Sequence, residues 1–95
     1  MQDIKLNNIV KILVTEINPK KLFLFGSRGK GTASFNSDYD IAIDSDTIDF
    51  TQKRKLKEKI DEVMGLYKID LVYLKEIDAD FKNIIIKTGR IIYEG

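Results

Sequence analysis

The chain contains no cysteine, no histidine and only one proline. Without cysteine there is no disulfide framework, no thiolate zinc site and no cysteine nucleophile. Without histidine, Ser-His-Asp chemistry and imidazole-ligated metals are excluded as well. No apolar run is long enough to cross a bilayer, and polar sequence follows Met1 where a signal peptide would be apolar. The expectation is a cytoplasmic protein with no membrane association. A dominant charge is missing too: 16 basic and 15 acidic residues leave a net charge of +1, which points to no partner.

What is present suits a globular fold. Ninety-five residues predict one domain, 1–95, with one small core. Hydrophobic residues at 43% and charged residues at 33% argue against disorder. Charge is arranged locally. From Gly31 to Gln52 there are five acids (Asp38, Asp40, Asp44, Asp46 and Asp49) and no base. Lys20, Lys21, Arg28 and Lys30 precede this block, and Lys53, Arg54 and Lys55 follow it.

Hydrophobic periodicity gives the elements. Leu6, Ile9, Val10, Leu13 and Ile17 form a helical stripe, with Asp3 as its N-cap and Asn18-Pro19 as its stop. "KLFLFG" reads as a buried strand, with a very short helix after Gly26. "DIAID" reads as a strand with Ile41 and Ile43 on one face and Asp40, Ala42 and Asp44 on a wet face. Asp49 and Gln52 form a capping-box pattern ahead of a helix striped by Leu56, Ile60, Val63 and Met64 and stopped by Gly65. "KIDLVYL" is a third strand. Asp78 caps a last helix that buries Phe81, Ile84 and Ile85, Gly89 closes it, and "RIIYE" is a final strand. The fold class is α/β (α+β), a small mixed sheet with helices packed on it.

The stretch from Phe23 to Asp44, "FLFGSRGKGTASFNSDYDIAID", carries the chemistry. It fails two familiar phosphate motifs. Gly26 and Gly31 have P-loop separation, but Thr32 stands where the lysine belongs. Gly29 and Gly31 begin a dinucleotide fingerprint, but Ser34 occupies the third glycine position. The underlying physics still applies. A strand ending in Gly-Ser and entering a helix aims backbone N–H groups at one point, where an anion is stabilised. Gly26 lets a phosphate approach, Ser27 adds a hydroxyl donor, and Arg28 and Lys30 add positive charge. Taken alone, the loop reads more readily as a glycine-rich turn with solvated basic residues.

The aspartates shift that balance. Asp38 and Asp40 lie two apart at a strand start, so both side chains share a face and repel unless a cation sits between them. Mg²⁺ takes carboxylate and phosphate oxygens. Asp70, set among apolar residues in the third strand, is costly to bury unless it is paired or ligates a metal. Three such carboxylates can hold two Mg²⁺ ions, one for a triphosphate and one to activate a hydroxyl. The plain alternatives are a polar hairpin turn at "NSDYD" and an edge-strand charge in water at Asp70.

Gly26-Ser27, followed after ten residues by Asp38-Tyr39-Asp40, resembles the signature of the DNA polymerase β-like nucleotidyltransferase superfamily. "GSRGKGTASFNSDYDIAID" and the ending "TGRIIYEG" are most similar to its minimal nucleotidyltransferases, the MNT group, with Gly29 and Lys30 departing from the usual alanine and arginine. The resemblance implies the polymerase β-like fold, a triphosphate held at Gly26 and Ser27, and Mg²⁺ held by Asp38, Asp40 and Asp70. It further implies transfer of AMP from ATP to a hydroxyl, most readily a tyrosine of a helical HEPN ribonuclease to which the chain is antitoxin. A non-catalytic antitoxin acting by contact is the competing expectation. A stand-alone antibiotic-modifying enzyme would need an acceptor domain for which the length leaves little room. The basic run Lys53, Arg54, Lys55, Lys57 and Lys59 is interrupted by Glu58, Asp61 and Glu62, favouring a solvated helix over a nucleic-acid face. Tyr39, Tyr67, Tyr73 and Tyr93 read as core or rim rather than base-stacking residues. Ile86 or Ile92 is expected to stay exposed as a contact patch for the partner.

Overall fold

The computed structural model describes residues 4–26, 39–65 and 68–95. The expected N-cap at Asp3, the short helix after Gly26 and Tyr67 lie outside these residues, as do Ser27, Arg28, Lys30 and Asp38. The described elements follow the expected order: α1 (Ile4–Ile17), β1 (Lys21–Phe25), β2 (Tyr39–Asp44), α2 (Phe50–Met64), β3 (Ile69–Tyr73), a 3₁₀ turn (Leu74–Glu76), α3 (Ala79–Thr88) and β4 (Arg90–Glu94).

The strands form one four-stranded sheet in the order β3-β2-β1-β4. β1 pairs antiparallel with both β2 and β4, and β2 pairs parallel with β3. A parallel neighbour requires a crossover, and α2 supplies it. Helix ends are made as the sequence predicts. Asn18 adopts φ +46 just past α1. The Asp49 carboxylate accepts from the Gln52 N–H at 2.7 Å, and Gly65 ends α2 at φ +62. The Gln52 side chain does not close the capping box; it reaches the Glu16 carbonyl at 3.5 Å instead. Asp78 caps α3 by accepting from the Phe81 N–H at 3.2 Å.

The sheet has two unequal apolar faces. On one, Leu22, Leu24, Tyr39, Ile41, Ile43 and Ile69 pack with Leu6, Ile9 and Leu13 of α1 and Leu56, Ile60 and Met64 of α2. The opposite cluster is small: Phe23, Ala42, Leu74 and Ile85, with Phe25, Val72 and Ile77 against it. This corrects the wet face expected of β2, because Ala42 is fully buried under α3 while Asp40 and Asp44 flank it half-buried. α3 also buries less than its sequence suggests. Ile85 is 1% exposed, but Phe81 and Ile84 are 39% and 58% exposed. The helix is too short and too peripheral to bury more than one of its four large apolar side chains, Phe81, Ile84, Ile85 and Ile86.

Ile86 is exposed as expected, whereas Ile92 packs against the larger core and Ile91 takes the exposed position. The cause is a register shift opposite Leu22 and Phe23: Phe23 faces Ile91 and Leu22 faces Tyr93, so Ile92 is the extra residue of a bulge. Three of the five basic residues of α2 are tied down within the molecule. Lys53 pairs with Glu76 and lies 4.6 Å above the Tyr73 ring. Lys57 pairs with Asp61 and donates to the Ile69 carbonyl at 3.0 Å, and Lys59 pairs with Glu16. Burial, then the Glu76 charge, raises the Tyr73 hydroxyl pKa above its ordinary 10.0. Tyr39 is core, and Tyr73 and Tyr93 border it.

Candidate active site

The site lies where β1 ends and β2 and β3 begin, on the lightly covered face. Alternation sets its side chains. Tyr39, Ile41 and Ile69 point into the larger core, so Asp40 and Asp70 point the other way. Phe25 is the register partner of Asp40 across the antiparallel pair, and Asp70 is its partner across the parallel one. Phe25, Asp40 and Asp70 therefore form a row across three adjacent strands, whose usual spacing is about 4.8 Å. The Tyr39 N–H donates to the Lys68 carbonyl at 3.0 Å and fixes this register from its first residue.

Gly26 closes the row. Its φ is +69, a left-handed conformation that glycine adopts without a Cβ penalty. A Cβ built there would fall 2.5 Å from Asp40 Oδ2. The sequence assigns Gly26 to the close approach of a phosphate; the structure adds that its missing side chain leaves the space filled by the Asp40 carboxylate.

Of the expected site residues, the fold brings Gly26, Asp40 and Asp70 together. Asp70 does not have the burial expected of it. β3 is an edge strand and Asp70 is exposed, so no burial cost demands a partner for it. What singles it out is its register beside a second carboxylate on the same face. Like charges on adjacent strands are destabilising, and a hard cation with oxygen preference would relieve that repulsion. Sequence reasoning missed the aromatic border of the site. Phe25 and Phe81 meet edge to face at 6.1 Å, next to Asp40. The available signal was period two, which puts Phe25 and Phe23 on one face and sets Phe25 at the very end of its strand.

The sequence profile of a family described as "Polymerase beta, Nucleotidyltransferase" matches residues 7–95. The chain belongs to this nucleotidyltransferase family. Within it, the chain is similar to a probable protein adenylyltransferase MntA of Haemophilus influenzae, 36% identical over 88 residues that cover 90% of this chain and 77% of the relative. Its fold is similar to that of a toxin–antitoxin structure with AMP-PNP, at TM-score 0.79 and 30% identity, covering 94% of this chain and 73% of the other. A second solved neighbour is a tri-AMPylated Shewanella oneidensis HEPN toxin in complex with MNT antitoxin. It matches at TM-score 0.76 and 26% identity over 100% of this chain and 74% of its own. The family fold agrees with the mixed sheet and flanking helices described above. Among the described residues, no helix is long and apolar enough to cross a membrane.

Proposed function

We propose that the protein is an Mg²⁺-dependent adenylyltransferase that moves AMP from ATP to a tyrosine hydroxyl of a HEPN ribonuclease, thereby acting as its antitoxin in the cytoplasm, where ATP is supplied. The observation that carries this reading is the register of Asp40 with Asp70 beside the left-handed turn at Gly26. The MntA relative and the AMPylated toxin complex support the choice of nucleotide and partner. Exposed Ile84, Ile86 and Ile91 offer apolar surface to such a partner.

In this reading Gly26 and Ser27, with Arg28 and Lys30, hold the triphosphate. Asp38, Asp40 and Asp70 hold Mg²⁺, two ions when all three carboxylates are engaged. When bound, Mg²⁺ offsets phosphate charge and favours the ionised acceptor hydroxyl. The acceptor oxygen forms a bond to the α-phosphorus. The bond from that phosphorus to the bridging oxygen breaks, and its electron pair leaves with pyrophosphate. The hydroxyl proton passes to a site carboxylate and then to water. No histidine is required. Co-expression with the HEPN partner, followed by intact-mass analysis, tests the reading. A mass gain of one or more AMP units on the partner, lost with Asp40→Asn, is expected. A stable complex without mass change under Mg²⁺ and ATP would instead favour neutralisation by contact alone.

A further inference from the structure

β3 is an edge strand, and its outer edge begins beside the carboxylates. The register assigns each of its backbone groups. The Tyr39 N–H donates to the Lys68 carbonyl, and Tyr39 is the parallel partner of Ile69. Along a parallel ladder, alternate residues turn their backbone groups toward the neighbouring strand. Asp70 and Val72 therefore bond to β2, and Ile69, Leu71 and Tyr73 turn their N–H and C=O groups outward. The Lys57 ammonium donates to the Ile69 carbonyl at 3.0 Å, as this outward direction allows. Among the described residues, no hydrogen bond engages the outward backbone groups of Leu71 or Tyr73.

A row of unpaired N–H and C=O groups at strand spacing is a template for an extended peptide. A nucleotide offers no such alternation of donors and acceptors. A second copy of the chain is opposed by charge. Two β3 edges paired antiparallel about Leu71 would bring their Asp70 carboxylates onto one face as diagonal neighbours. Because Lys57 occupies the Ile69 carbonyl, a docked segment pairs with Leu71 and Tyr73 and ends beside Asp70. Phe25, Asp40 and Asp70 already form a row. The last residue of an added strand continues that row at the usual spacing of about 4.8 Å.

We propose that the outer edge of β3 receives the acceptor as an added strand. An extended segment of the partner protein pairs its backbone with Leu71 and Tyr73, which sets its hydroxyl-bearing residue next to Asp70. The inference deepens the functional reading above and rests on it for the identity of the acceptor. Backbone pairing leaves the sequence around the acceptor largely free, while period two admits only alternate residues to the carboxylate face.

Amide hydrogen exchange of the protein, alone and in complex with the HEPN partner, tests the edge directly. Complex formation should slow exchange at the Leu71 and Tyr73 amides by about tenfold or more. Asp70 and Val72, whose amides already face β2, should change less. Leu71→Pro removes one outward donor at a position where an edge strand tolerates proline. It should weaken the partner about tenfold and leave AMP-PNP affinity unchanged. If that variant does not fold, a synthetic peptide spanning the acceptor tyrosine serves instead: N-methylation of its backbone removes its donors and should weaken binding to wild type. Leu71 and Tyr73 amides that stay unprotected in the complex overturn the proposal. Protection already present in the protein alone, and rising with its concentration, also overturns it by assigning the edge to a second copy. Protection in the complex without AMP transfer defeats the functional reading and leaves the edge contact standing, and AMP transfer without protection does the reverse.

Discussion

The carboxylate of Asp40 occupies the space in which a side chain on residue 26 would begin: a Cβ on Gly26 would lie 2.5 Å from Oδ2 and 3.4 Å from Cγ. The end of β1 and the start of β2 are thus fitted to each other at the site itself. A change at the loop is felt at the carboxylate before any ligand arrives.

Gly26→Ala tests this fit. The left-handed φ costs an alanine about 1–2 kcal/mol, and the Asp40 side chain has to rotate away. The expected outcome is a folded protein with a lowered denaturant midpoint and at least a tenfold loss in AMP-PNP affinity. Gly26→Val should act in the same direction and more strongly. Calorimetry beside a urea titration checks both, and a folded variant with unchanged affinity would reduce the loop to a turn.

The paired carboxylates make a second prediction. In wild type, Mg²⁺ with AMP-PNP at a hundred times its Kd should raise stability by about 2.7 kcal/mol through mass action. The Asp40→Asn, Asp70→Asn double variant should lose most of that gain. Thermal unfolding with and without ligand reads the loss, and equal ligand gains in the two proteins would remove these residues from the site.

Much of this was legible in the sequence, because the signals are local. The Asp49 and Asp78 caps, the stops at Asn18 and Gly65 and the period-two face of β2 depend on neighbours within a few residues. The grouping of Asp40 with Asp70 was expected from the family resemblance, but their direct register was not legible, because it depends on how α2 carries the chain back to lie beside β2. The exposure of Ile84 and the exchange of Ile91 for Ile92 were missed for a related reason. One depends on how little of the sheet α3 covers, and the other on a bulge against β1, and neither leaves a mark in the local pattern.

That peripheral placement of α3 predicts a sharp contrast between neighbours. Ile85→Ala removes a side chain that is 1% exposed and should cost about 2–5 kcal/mol. Ile84→Ala, one position earlier, should change stability by no more than about 0.5 kcal/mol. Urea midpoints at constant m-value decide it. Similar costs for the two would mean that α3 is seated differently.

Tyr73 makes stability fall at alkaline pH. Its hydroxyl pKa is raised by burial and then by Glu76, so the folded state holds the proton more tightly than the unfolded state. The contribution is complete below the unfolded value of 10.0. It is lost as pH rises through the folded pKa. Tyr73→Phe should flatten this part of the profile. Unfolding followed from pH 8.5 upward checks it, and parallel profiles for the two proteins would rule out Tyr73 as the source.

The parallel pairing of β2 with β3 also has a kinetic consequence. Asp40 and Asp70 are register partners with all of α2 between them. Parallel strands meet only after the crossover has closed, and such non-local contacts form slowly and late. The carboxylate pair is therefore expected to form only once α2 has closed the crossover. If Mg²⁺ is held there as proposed, it would act as a latch on the finished molecule, slowing unfolding more than it speeds folding.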